Sequence, residues 1–252
     1  MRFFGRGRPV IISSAKKTIF VHIPKCAGTS FRTAIHHLHD YPVEFWNFAY
    51  SDYFQRDLDF AHLRMWEVAA MFPDVFEKLQ TYKSLVFVRN RYARFVSAAQ
   101  EHISRFGGIK LATRTPEDQT RVIELLIKRN LTTTRILGDK AYVHFSPQAW
   151  YINLGKKRIV KHIVPMREGS DFIKTALAIL GAKSLPAATL NESKLAVKDI
   201  LASPIVQEYV ETFYKQDAEL FESLGLSDLA EMPQEVEDVA PVPHPPTLSI
   251  VK

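Results

Sequence analysis

Between Thr18 and Leu38 the chain reads TIFVHIPKCAGTSFRTAIHHL, an apolar β-rich run, a loop carrying Lys and Gly, and the opening of an amphipathic helix. Ile19, Phe20, Val21 and Ile23 suit a parallel strand covered on both faces, and Pro24 ends it. Phe31, Ala34, Ile35 and Leu38 then recur at i, i+3, i+4 and i+7 on one helical face. Gly28 permits close backbone approach to a ligand, and Thr29 is placed to cap the helix. A strand turning into a helix N-terminus offers free N–H groups and the positive end of a dipole. Lys25 adds a full charge, and Thr29 and Ser30 add hydroxyl donors. The natural occupant of such a loop is a phosphate or a sulfate.

The order of residues separates this loop from a Walker A motif, in which Lys follows the second Gly. Here Lys25 precedes Gly28. The run PKCAGTS instead resembles the 5′-phosphosulfate loop of sulfotransferases that use 3′-phosphoadenosine 5′-phosphosulfate (PAPS), in particular the carbohydrate-modifying family 2 group and its small bacterial-type members. That resemblance implies donor contacts from Lys25, Cys26, Ala27, Gly28, Thr29 and Ser30.

A second apolar strand, Ser84 to Val88, runs into Arg89-Asn90-Arg91-Tyr92-Ala93-Arg94-Phe95-Val96-Ser97-Ala98-Ala99. This segment resembles the family's 3′-phosphate signature, R-[ND]-P-x-x-R-x-x-S-x-[YF], with Arg89 and Ser97 at the positions of its phosphate ligands. A guanidinium fork and a hydroxyl suit that task, and Arg94 reads as a structural or secondary contact. Arg91 stands where the pattern has Pro, and Ala99 where it has an aromatic residue. Further resemblances follow in order: His144 to Ile152 (HFSPQAWYI), Arg167-Glu168 with Asp171-Phe172, Leu185-Pro186 with Asn191-Glu192-Ser193, and a closing helix within Tyr209 to Gly225.

Strand and helix patterns alternate: strands near 18–23, 84–88 and 158–164, and helices near 29–39, 64–80, 91–104, 116–130, 170–180 and 194–223. Such alternation indicates an α/β fold with a central mainly parallel sheet flanked by helices, and the resemblance makes it a P-loop-like three-layer sandwich. Ligands in such folds bind beyond the carboxyl ends of the strands, where both anion motifs fall. Residues 1–226 are expected to form the sulfotransferase domain, and 227–252 an acidic, Pro-rich, disordered or loosely docked tail. The tail holds five acids and one base of a chain with net charge +6, which leaves the body at +10. A field of that sign attracts a polyanionic donor and an anionic glycan. No zinc-finger, homeodomain or RNP signature supports a nucleic-acid reading.

Cys26, the single cysteine, excludes an intrachain disulfide; of its two readings, a thiol made reactive by the helix N-terminus and Lys25 or a small packing residue, the second is favoured. The N-terminus lacks the apolar run of a signal peptide and no stretch is long enough to span a membrane, so a cytoplasmic enzyme is expected. No metal-ligand spacing appears.

Sulfuryl transfer requires a base for the acceptor hydroxyl. Lys25 and the loop N–H groups would serve the leaving side. His62 lies between the two anion motifs, where related 2-O-sulfotransferases and bacterial members carry a G-H-[LFV] histidine, although Ala61 replaces the Gly. His144 is the rival base, and Glu101 and His102 are weaker candidates. The function expected is sulfuryl transfer from PAPS, leaving PAP, to a hydroxyl of a carbohydrate or glycolipid. The alternatives are a noncatalytic nucleotide- or anion-binding protein that keeps the fold, and a P-loop-like kinase. Trp46, Phe48, Tyr50, Tyr53 and Phe54 either stack on sugar rings or pack in the core.

Overall fold

The computed structural model describes residues 10–42, 45, 48–167, 169–182 and 195–233, with the backbone alone at Thr29, Ser30 and Thr33. The chain opens with β1 (Ile11–Ser13), β2 (Thr18–Val21) and α1 (Gly28–Ile35). A hairpin of β3 (Phe48–Ser51) and β4 (Arg56–Asp59) precedes α2 (Met65–Met71), α3 (Pro73–Thr81), β5 (Lys83–Val88) and α4 (Arg91–Gly107). Next come α5 (Pro116–Asn130), α6 (Thr133–Gly138), α7 (Ala149–Ile152), β6 (Asn153–Leu154), β7 (Lys157–Arg158) and β8 (His162–Pro165). The helices α8 (Phe172–Leu180), α9 (Val197–Ala202), α10 (Pro204–Phe213), α11 (Lys215–Ser223) and α12 (Ser227–Ala230) complete the described chain.

The central sheet has the order β1-β2-β5-β8. β2, β5 and β8 are parallel, and β1 adds an antiparallel edge against β2. The register pairs Phe20 with Leu85 and Phe87 with Val164, so Phe20 and Phe87 share a face. On that face Phe87 meets Phe31 of α1 at 4.8 Å and Phe172 of α8 at 5.1 Å between ring centroids. Val21, on the other face, lies with Met65 and Val68 of α2 and Val75 and Leu79 of α3. Helices therefore cover both faces, which explains strands apolar at every position rather than at alternate ones. A second apolar cluster, with Phe95, Ile123, Ile200 and Val206 at its centre, joins α4, α5, α9 and α10.

Several elements depart from the sequence expectations. The strand expected near 158–164 is two pieces. Lys157 and Arg158 fold back on β6 across the Gly155 turn, and the sheet strand starts only at His162. The single helical stretch near 64–80 breaks between α2 and α3 at Phe72, because Pro73 cannot continue the hydrogen-bond ladder and starts a new helix. β1 and the β3–β4 hairpin carried no strand signal in the sequence reading, being three and four residues long. Thr29 is not the cap of α1. That position belongs to Ala27, in the left-handed region at φ 50°, and Thr29 falls inside the first turn.

The start of the segment expected as a tail is docked. Leu229 and Ala230 of α12 are buried, Arg167 makes a two-pronged pair with Asp228 at 2.7 and 2.8 Å, and Asn90 Nδ2 donates to the carbonyls of Asp228 and Glu231. Arg91, in place of the family's Pro, donates to the Ala230 carbonyl. Residues 234–252, Trp46, Glu168 and the 185–193 motif lie outside the described residues.

Candidate active site

β2 and β5 are adjacent and parallel, so the loops leaving their carboxyl ends are neighbours. The first loop holds Lys25 at φ 67° and Ala27 at φ 50°. Two non-glycine residues in the left-handed region are a local strain that the surrounding fold sustains. The first ladder bond of α1 runs from Phe31 N–H to the Ala27 carbonyl, so the N–H groups of Gly28, Thr29 and Ser30 precede the helical ladder. Gly28 serves packing as well as approach: a β-carbon there would lie 1.9 Å from Cδ2 of His22.

Arg89 directly follows β5, and its position is set by Gln148, which is fully buried. Gln148 Oε1 accepts from Arg89 N–H at 2.9 Å, and Gln148 Nε2 donates to the Arg89 carbonyl at 2.8 Å. Gln148 is steadied in turn by Asp217 of α11, whose other oxygen accepts from Ala149 N–H at 2.8 Å. The guanidinium of Arg89 reaches the Lys25 carbonyl at 3.5 Å. Burial, and then the neighbouring Arg94, lower its pKa. Among the described residues no carboxylate pairs with Arg89. A desolvated cation beside a helix N-terminus and a lysine suits an anion carrying more than one phosphate or sulfate group.

Arg94 is structural, as expected. It is fully buried, donates to the carbonyls of His144 and Ser146 at 3.1 and 2.7 Å, and lies 5.2 Å from the Tyr214 ring. Ser97 is half-buried on α4, one turn before Glu101 on the same helix face. Cys26 is buried, its Sγ donates to Gln148 Oε1 at 3.4 Å, and burial pushes its thiol pKa up to about 12. It is a packing residue within the loop.

The two candidate bases come together. His62 and His144, eighty-two positions apart in sequence numbering, have ring centroids 4.9 Å apart at an interplanar angle of 86°. His62 Nδ1 lies 3.4 Å from the carbonyl oxygen of His22. With Nδ1 as the donor, Nε2 keeps the lone pair a base needs. The tautomer is assigned from that contact. Burial, the largest cause, lowers the His62 pKa, while Asp59 and the His22 carbonyl oppose it. Burial and then His62 hold His144 well below the usual imidazole range. His102 is elsewhere, with Nδ1 3.1 Å from the Ala141 carbonyl and its ring against Tyr142.

Three members of this site were not identified from sequence. His22, with its ring 4.6 Å from that of His62, was signalled only as a polar interruption of an apolar strand. Gln148 lay inside a quoted motif without an assigned task. Asp59 has a carboxylate that accepts from Ala61 N–H at 2.9 Å and caps the short helical turn containing His62. Asp59, His62 and His144 bring ligand-type atoms within 4.8 Å of one another. Asp59 also stands in the field of Arg32.

Glu101 stands between the two halves of the site, with Lys25 Nζ donating to its Oε2 at 2.6 Å. No described helix is long and apolar enough to cross a membrane. Comparison with curated proteins and with solved structures finds no match. A profile of the sulfotransferase family matches residues 8–222, a span that contains the Lys25 loop, Arg89, Gln148 and both candidate bases. The chain therefore belongs to the sulfotransferase family, whose chemistry is sulfuryl transfer.

Proposed function

We propose that the protein transfers a sulfuryl group from PAPS to a hydroxyl of a carbohydrate or glycolipid, with His62 as general base, on a P-loop-like three-layer sandwich. The observation that carries this reading is the convergence of the Lys25 loop, the Arg89 guanidinium, which no carboxylate pairs with among the described residues, and an imidazole pair at the ends of adjacent parallel strands. PAPS, when bound, supplies the sulfuryl group and a phosphate that leaves with the departing electron pair.

The chain's own residues divide the work. Lys25 and the N–H groups of Gly28, Thr29 and Ser30 bind the 5′ end and balance the charge that grows on the leaving oxygen. Arg89 and Ser97 bind the 3′-phosphate, and its selectivity over nucleotides lacking that group rests on them. His62 Nε2 takes the proton of the acceptor hydroxyl, and the His22 carbonyl receives the Nδ1–H that the resulting imidazolium still carries. Burial favours the uncharged form of His62, which leaves the Nε2 lone pair free for a proton.

The β3–β4 hairpin supports a glycan acceptor. Phe48, Tyr50 and Tyr53 are exposed, and Arg105 and Lys140 approach the Phe48 ring at 5.3 and 4.9 Å. Aromatic faces beside cations suit a sugar ring bearing an acidic group. Phe54 packs against the core instead. The test is thermal unfolding with PAP, compared with ATP and AMP. At 100 times its dissociation constant a ligand stabilises the folded state by about 2.7 kcal/mol. Selective stabilisation by PAP supports the reading, and an equal response to AMP would overturn it.

A further inference from the structure

In this structure the lysine of the anion loop already has an anion, supplied by the protein. Glu101 Oε2 lies 2.6 Å from Lys25 Nζ, and the same oxygen lies 3.6 Å from His144 Nδ1. Its other oxygen is 4.0 Å from Arg105 Nη1. The Lys25 and Glu101 side chains are 24% and 34% exposed, and a partly exposed pair of this kind is weak enough to be displaced. A phosphate with two charges outcompetes a single carboxylate for one ammonium.

We infer that Glu101 is a positioning residue that passes from Lys25 to His144 when an anionic donor fills the loop, so that donor binding readies the imidazole pair. This rests on the proposed function. The donor's negative charge repels the carboxylate it displaces, and the nearest remaining partners are Arg105 and His144 Nδ1. A carboxylate on Nδ1 orients the ring of His144 and favours its protonated form. The field of Glu101 already opposes the lowering of the His62 pKa, behind the larger effects of burial, Asp59, the His22 carbonyl and Arg32. The groups facing His144 are His62, His22, Asp59, Lys25 from the loop, and Glu101, Arg105 and Arg94 from α4. Those facing His62 are His22, Arg32, Asp59, His144 and Glu101. Glu101 is the carboxylate within reach of both Lys25 and His144.

Two measurements on wild type and Glu101→Gln test the handover: calorimetric titration with PAP, and a pH titration of the His144 ring followed by 15N NMR with and without PAP, assigned with His144→Gln. Glu101→Gln should bind PAP about threefold more tightly, because Lys25 no longer has a competitor. PAP should raise the His144 pKa in wild type by clearly more than in Glu101→Gln, where only the charge of the ligand acts. Equal or weaker PAP binding by Glu101→Gln, or equal rises in the two proteins, would overturn the handover and leave the donor reading standing. A wild-type protein that does not bind PAP would overturn the donor reading itself.

Discussion

Gly28 and His22 are in contact across the loop, so closely that a β-carbon on Gly28 would sit 1.9 Å from Cδ2 and 2.3 Å from Nε2 of the imidazole. The loop and the candidate base are thereby one packed unit: the His22 ring lies 4.6 Å from the ring of His62, tilted by 52°, and the His22 carbonyl faces His62 Nδ1.

Gly28→Ala should therefore displace His22, destabilise the protein by about 1–3 kcal/mol, and reduce turnover as well as donor affinity. Adding His22→Ala makes room for the methyl group. Urea denaturation of both single variants and the double variant gives the coupling, which should be well above 0.5 kcal/mol in magnitude. Additive losses would mean that the two residues do not oppose one another.

His62→Ala should lower turnover roughly 100-fold or more while PAP affinity survives. His144→Ala should have the smaller effect, since His62 retains its contact with the His22 carbonyl. Steady-state rates with any accepted hydroxyl compound, read beside PAP titrations, check the ranking. Near-normal turnover in His62→Ala would remove it from the base role.

Stability should fall as the solution is acidified. His22 and His144 are held well below 6.5 and His62 is lowered, with burial the first cause in each. The unfolded chain then binds more protons than the folded one once the pH drops below about 6.5, so stability is full above that pH and is lost below it. Melting temperatures between pH 7.5 and pH 5 should decline, and less steeply in His144→Gln. A flat profile in wild type would contradict buried neutral imidazoles.

Gln148→Leu keeps much of the volume but strands the backbone of Arg89 and the carboxylate of Asp217, each now bonded to the amide. Loss of about 2–4 kcal/mol is expected, with weaker PAP binding because Arg89 is no longer clamped. Denaturant melts and calorimetry measure the two effects. Unchanged PAP affinity would show that Arg89 is held by other means.

Cys26 should resist thiol reagents in the folded protein. Its thiol is buried and its pKa is pushed up to about 12, chiefly by burial. Reaction with a disulfide reagent should match the rate of unfolding, and rapid labelling of the native state would refute the packing role.

Much of the architecture was legible along the chain because its signals are local. The apolar run before Pro24 and the 3.6-residue period after Gly28 mark β2 and α1. Thr115 and Pro116 mark the start of α5, where the hydroxyl accepts from Asp118 N–H. The two cationic motifs are local signals too, each following its own strand. What the chain order did not reveal depends on pairing between distant residues. β1 is a strand only because β2 lies beside it, and Lys161, just before β8, has its N–H bound to Ser84 Oγ. Lys25 and Glu101 meet 76 positions apart, and three imidazoles from positions 22, 62 and 144 share one buried corner. Residue type and spacing thus determined the strand, loop and helix units and the charge they carry. Which acid holds the lysine, which carbonyl faces His62, and why Gly28 must be glycine were decided by tertiary packing, because those contacts exist only once the sheet has brought the strand ends together.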